Sequence, residues 1–440
     1  MEYTFCPGAR HRRVSRVSSR LSEVITLSDR LLRRAGVYLT VLAAALLTAD
    51  RLEAGSNYKV LHAFAGKPDG GGVFAGVTLD SRGNLYGTTC CGGAYGYGTV
   101  FELTPGSGGK WTETIPHNFC ADFPRCADGD LPTDGVAVDP AGSLYGVSGV
   151  IFQMTHGRGG WGFKVIYGGA AGDSPPNNHA GQCDLLLDAA GNLYGPCFSF
   201  GKNYKGAVSE LSPGAHGWNE KDLFDFCLYP RNFVCLGGND PGFRLAWDAN
   251  GNLYGVTTEG GVDKAGVAYQ LEHTADGWKE HVLHSFPASP SDGYNFFGGL
   301  ALDRSGNVYG TTLQGGRIGA GTVFELSLQQ DGHWKETILY DFPNASHDGG
   351  GPAAGLVLDQ SGNLYGTASG GGDSHCSCGV VFKMTPGSNG KWSYTVLHRF
   401  TGTDGYSPQA SLTLDSKGNI YGTTTEGGPG GYGVVFEITP

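Results

Sequence analysis

A phrase close to Asp-x-x-Gly-Asn-Leu-Tyr-Gly recurs seven times in this chain, starting at Asp80, Asp139, Asp188, Asp248, Asp303, Asp359 and Asp415. The copies are 59, 49, 60, 55, 56 and 56 residues apart. A period of that length, held over most of a chain, restricts the fold to repeat architectures, in which a unit buries its apolar face only against its neighbours.

Each unit has the same internal order. In the fifth, Gly299–Asp303 alternates and runs into a turn, and Asn307–Thr312 is a second β-prone run. A Gly-rich connection leads to Thr322–Leu326, and a polar turn leads to Trp334–Phe342. These are four short strands, A to D, rich in Val, Ile, Thr, Tyr and Phe and separated by turn residues. No helical period is sustained. The expected fold is all-β: a seven-bladed β-propeller of four-stranded antiparallel blades. Trp111, Trp161, Trp218, Trp278, Trp334 and Trp392 each open a D strand, and the seventh unit ends on its C strand at Val434–Pro440. The missing strand stands at the other end, where Asn57–Phe64 matches Ser393–Phe400. The N-terminal strand is therefore expected to complete the last blade and remove the unpaired edges of an open array.

The Asp and Asn of the phrase read as turn formers rather than as calcium ligands or catalytic acids, because both residues bond their own backbone in tight turns. His62, His117, His284 and His398 recur in strand D, with Asp225 and Asp341 read into the same slot, and a satisfied inter-strand hydrogen bond is expected there. The D-strand Trp residues are expected to pack between blades.

Runs such as Gly306–Thr312 followed by Gly321–Leu326 resemble the GloVer (Gloeo-Verruco) repeats of bacterial exported tandem-repeat proteins. The resemblance spans about residues 57 to 440. Units two and three depart from it, at Gly142–Gly146, which lacks the Asn, and at Gly195–Cys197, which lacks the Thr pair. It implies an extracytoplasmic propeller and carries no catalytic residues over.

Residues 1–55 differ from residues 56–440. They hold nine Arg, and an apolar run at Val37–Leu47 follows Arg33-Arg34, the pattern of a secretory signal or of an N-terminal anchor with a long basic region. Removing the nine Arg and five acidic residues of this segment from the 30 basic and 41 acidic residues of the chain leaves 21 and 36, a net of −15. Such a surface repels phosphate backbones, so nucleic acid is not an expected partner. Membrane contact is expected only through an uncleaved N-terminal segment, and the chain is expected to be a monomer.

Eleven cysteines are present, and ten remain once Cys6 is set aside, an even number in an exported chain. All ten map to the face that carries the B–C and D–A connections. Cys120 with Cys126 and Cys227 with Cys235 would each staple a D–A loop. Cys183 and Cys197 flank a hairpin and should be cross-strand neighbours. The pairing of Cys90, Cys91, Cys376 and Cys378 stays open. The run Asp373–Cys378 offers ligands suited to zinc or copper. An oxidising compartment favours disulfides there, so neither a metal nor a cofactor is expected.

The same face bears irregular loops with aromatic and Arg residues: Tyr95, Tyr97, Phe123, Arg125, Phe200, Tyr204, Tyr229, Arg231 and Phe233. Loops on a rigid scaffold are where binding residues concentrate. The expected function is a secreted, non-enzymatic binding module for a glycan or a protein. The alternatives are a carbohydrate-active or lactonase-type enzyme at the channel mouth, with Glu259, Asp263, Asp373 and Glu426 as candidate acids, and a structural or adhesive surface protein. The sequence holds no nucleophile elbow, zinc-protease helix or phosphate loop.

Overall fold

The computed structural model describes residues 57–168, 184–196, 201–202, 204–228, 235–287, 293–296, 298–343 and 347–439. They form seven four-stranded antiparallel sheets, with two additional two-stranded ribbons, Gly70–Gly71 with Cys91–Gly92 and Gly293–Tyr294 with Gln314–Gly315. Closure is as expected: Asn57–Ala63 pairs antiparallel with Val434–Thr439, from Asn57 opposite Thr439 to Ala63 opposite Val434, as the outer strand of blade 7.

The repeated phrase is a hairpin device. Asp80 Oδ1 accepts the N–H groups of Arg82 and Asn84, both at 2.8 Å, and Oδ2 accepts from Asn84 Nδ2 at 3.0 Å and Tyr86 OH at 3.3 Å. The same bonds recur at Asp188, Asp248, Asp303, Asp359 and Asp415. In blade 2, Ser143 stands in place of Asn and only its backbone N–H reaches Asp139. The Gly after Tyr makes room for strand C. A Cβ on Gly310 would lie 2.4 Å from the Phe324 ring, and one on Gly87 2.6 Å from Phe101.

The core lies between blades. Its hydrophobic clusters each mix residues of two neighbours, as where Phe286 and Leu283 of blade 4 meet Phe296, Leu300 and Phe324 of blade 5. Trp161 packs edge-on against Tyr86 of the preceding blade at 5.9 Å, and Trp111, Trp218 and Trp392 meet Tyr421, Tyr145 and Tyr309 in the same way. Thr hydroxyls of strand B also bridge blades: Thr88 donates to the Asp134 carbonyl and Thr423 to that of Ala75, where blade 7 meets blade 1.

One strand-D reading is extended and another changes. The repeated His meets a loop carboxylate in three blades, His117 with Asp128 at 2.8 Å, His398 with Asp404 at 3.0 Å and His62 with Asp69 at 3.3 Å, while His62 and His284 also face a strand-D Glu of the next blade, Glu113 and Glu336. Asp225 and Asp341 do not share that slot. Asp341 lies opposite Thr322 as Asn118 lies opposite Thr99, one position further on. There the side chain ties down the B–C loop, Asp225 accepting Lys202 N–H at 2.8 Å and Asn118 accepting Ala94 N–H at 2.7 Å. The His slot of those two blades holds Phe224 and Tyr340.

Candidate functional site at the channel mouth

The seven A strands surround a central channel of about 730 Å³. Its wall is built from small and aliphatic residues, because four of the seven A strands open on Gly and all continue with Val, Leu, Ala or Thr. Gly76, Gly135, Gly299 and Gly355 open blades 1, 2, 5 and 6, and Ser411 opens blade 7. Blades 3 and 4 break the pattern with Asp184 and Arg244, the charged residues of the channel lining. Both also line its mouth on the loop face, together with Phe74, Asp134, Gln409 and Ser411.

Asp184 is anchored: its Oδ1 accepts the Gly135 N–H of the preceding blade at 3.0 Å. Arg244 is exposed, and among the described residues its guanidinium has neither an ion pair nor a hydrogen bond. A guanidinium at such a mouth presents five fixed donors. Sequence reading passed over both residues. The signal was the departure from Gly at the position four before the phrase's Asp, visible once the units are aligned.

The loops above the mouth are stapled. Disulfides join Cys120 to Cys126 and Cys227 to Cys235, as expected, and a third joins Cys376 to Cys378, which removes the thiolates that the Asp373–Cys378 metal reading needs. Cys183 and Cys197 lie outside the described residues. The loop after strand D of blade 1 carries Phe123, 65 % exposed, stacked on Tyr97 at 5.4 Å, and runs on to Thr133 and Asp134 at the mouth. Leu131 N–H bonds the Tyr97 carbonyl and fixes the two loops together. Tyr95 is exposed, as are Arg125 and Tyr204, the last by 81 %. Among the described residues no ring contact joins Tyr204 to the Tyr97–Phe123 pair. Phe200, Tyr229, Arg231 and Phe233 lie outside the described residues.

The candidate acids are dispersed. Glu259 accepts from Asn239 Nδ2, Asp373 from His375 N–H, and Glu426 pairs its backbone with Tyr406. The recurrent loop acids serve the turns: Asp69 accepts the N–H groups of Ala65 and Gly70, and Asp404 that of Thr401.

A second set of polar groups lies between blades. The His slot of each blade faces the residue two after the D-strand Trp of the next. Across successive junctions this gives His62 with Glu113, His117 stacked on Phe163 at 3.9 Å, and Tyr167 bonded to Glu220. His284 then meets Glu336 at 3.5 Å, Tyr340 stacks on Tyr394 at 3.9 Å and His398 stacks on Tyr58 at 3.7 Å. Phe224 and Glu280 hold these slots at the remaining junction. His62, Asp69 and Glu113 bring three ligand-type atoms within 4.8 Å of one another, the geometry of a cation site, but they are also one case of this structural series.

The series sets protonation. Burial opposes charge on His62, yet the Asp69 hydrogen bond and the charges of Glu113 and Asp69 outweigh it, so its pKa stands above the ordinary value. Burial dominates at His117, where Phe163 supplies no charge, and its pKa is lowered despite Asp128. Burial pushes Glu113 up to about 7, against the pull of His62, and Glu280 up to about 8.

Seven sheets around a channel define the class: a seven-bladed β-propeller. Residues 240–440 match the model of the Gloeobacter/Verrucomicrobia repeat. In solved structures, the fold is similar to the extracellular domain of a hybrid two-component system from B. thetaiotaomicron, with TM-score 0.50 and 12 % identity over 86 % of this chain and 39 % of that one. The extracellular domain of a one-component system from the same organism matches with TM-score 0.50 and 12 % identity over 87 % of this chain and 40 % of that one. The chain thus spans well under half the length of these domains, and the likeness is one of fold. No curated protein matches the sequence.

Proposed function

We propose that this propeller is a binding module acting outside the cytoplasm, and that it takes a neutral glycan at the channel mouth on its stapled face. The observation that carries the reading is the break in the repeat: five of the seven strand-A openings are Gly or Ser, and Asp184 and Arg244 stand side by side at the other two. A structural repeat has no use for such asymmetry, whereas a ligand site needs it. The guanidinium, the carboxylate and the Gln409 amide match the donors and acceptors of sugar hydroxyls. Phe74 and the Tyr97–Phe123 stack offer flat apolar faces. The net charge of −15 over residues 56–440 disfavours a polyanionic ligand. Three disulfides in one face support an oxidising compartment, in keeping with the signal-like segment 1–55.

Hydrolysis would call for two carboxylates set across a bond. Asp184 and Asp134 are those of the mouth, and Asp134 is buried. The test is retention of the oxidised protein on a panel of neutral polysaccharides, with released sugar assayed alongside. Retention without product is expected, weakened at least about tenfold in both Asp184→Ala and Arg244→Ala, the loss of roughly 1.4 kcal/mol. Retention equal to wild type in both variants would remove the mouth as the site, and released sugar would replace binding with catalysis.

A further inference from the structure

Two consecutive cysteines of blade 1 hold their sulfurs closer than unbonded atoms of that size rest. Cys90 and Cys91 are each 5 % exposed, and their Sγ atoms lie 2.8 Å apart, against about 2.05 Å for a disulfide. Neighbouring residues of a strand normally send their side chains to opposite faces. Here strand B ends at Thr89, and the short ribbon strand begins at Cys91, opposite Gly71. Cys90 occupies the bend between them, its N–H bonded to the Gly72 carbonyl at 3.0 Å, and this bend lets both side chains turn the same way. The turn does not itself require cysteine: the equivalent pairs in blades 4 to 7 are Thr258-Glu259, Leu313-Gln314, Ser369-Gly370 and Thr425-Glu426. Space is kept for sulfur by Gly72, on which a Cβ would come within 2.6 Å of Cys90 Sγ.

We propose that Cys90 and Cys91 are joined to each other as a vicinal disulfide in the oxidised protein. The chemistry is ordinary thiol–disulfide exchange with a small-molecule or protein disulfide of the compartment. The thiolate of one cysteine attacks that disulfide and expels one thiolate. The thiolate of the other then attacks the mixed disulfide, forms the Cys90–Cys91 bond and expels the second. Two protons leave the cysteines, and the external disulfide takes up the two electrons. The exchange takes place before the ribbon closes over the buried sulfurs. The resulting ring stiffens the B–C loop beside Gly72, whose chain leads in two residues to Phe74 at the channel mouth. The bond itself does not depend on what the mouth binds.

The test uses the full chain exported into an oxidising compartment, denatured and treated with iodoacetamide without reductant, then digested and weighed. The peptide containing Cys90 and Cys91 is expected unalkylated and about 2 Da lighter than its dithiol, and to gain two carbamidomethyl groups only after reduction. In Cys90→Ser, Cys91 should become open to alkylation. Two carbamidomethyl groups before reduction would overturn the proposal, as would a cross-link from this peptide to one carrying another cysteine, or a Cys91 still blocked in Cys90→Ser.

Discussion

The junction that closes the ring and the junction beside it use the same histidine slot to opposite effect. Between blades 7 and 1, His62 has Asp69 on one side and Glu113 on the other, and its pKa is raised. Between blades 1 and 2, His117 has Asp128 on one side and the ring of Phe163 on the other, and its pKa is lowered. Strand and loop acid are alike; the residue across the junction differs. A repeat can therefore keep one backbone and still set the protonation of each interface separately. The signs follow from linkage. The raised His62 contributes stability fully below the ordinary imidazole value, and this is lost as pH rises through its folded pKa. The lowered His117 costs stability at acid pH, and the cost is relieved as pH rises toward the ordinary value.

The sharpest extension of the contrast is the junction where Phe224 and Glu280 hold the two slots. Here one Glu280 oxygen is buried without a hydrogen bond, and burial alone drives its pKa to about 8. Between its ordinary value near 4.5 and about 8, the folded chain keeps a proton that the unfolded chain has released, so stability falls as pH climbs through that window. Glu280→Gln should remove this slope and raise stability at pH 9 by on the order of 3 kcal/mol. Urea melts across the pH range would show it, and an unchanged slope would count against a neutral buried acid.

Exchanging the facing residues tests the comparison directly. Phe163→Glu should raise the pKa of His117, and Glu113→Phe should lower that of His62, each by about one unit. Imidazole resonances followed by NMR titration report both, and a shift of the same sign in the two variants would break the explanation. The smallest effect lies within blade 2. Ser143→Asn should restore the side-chain bond to Asp139 made in the other six hairpins and stabilise the chain by roughly 0.5–1 kcal/mol. A thermal melt that moved down would show that blade 2 cannot accept the standard hairpin.

Much of this was legible because repetition averages out local ambiguity. Seven copies identified the hairpin Asp as a turn former, and the match of Asn57–Phe64 to Ser393–Phe400 predicted ring closure. The Cys120–Cys126 and Cys227–Cys235 staples followed from short spacings within single loops. Reading was incomplete where a partner lies in a connecting loop or in another blade. The His slot was expected to hold an inter-strand hydrogen bond, without the loop acid that serves it in three blades, because such contacts leave no spacing signal. Asp225 and Asp341 were placed one position out, although each stands directly before the strand-D Phe and the His stands two before it. Asp184 and Arg244 were missed for a related reason: attention to what the units share hides the positions where they differ.

The sequence by itself determined the number of blades, their strand order and the closure, since periodicity, turn chemistry and alternating apolar residues are local properties that add up along a chain. Only the tertiary structure decided which side chains face each other across a junction, which ones carry a proton there, and that Asp184 and Arg244 meet at one mouth. Those outcomes depend on distance and desolvation between segments far apart in the chain, and both come into being only when the ring is closed.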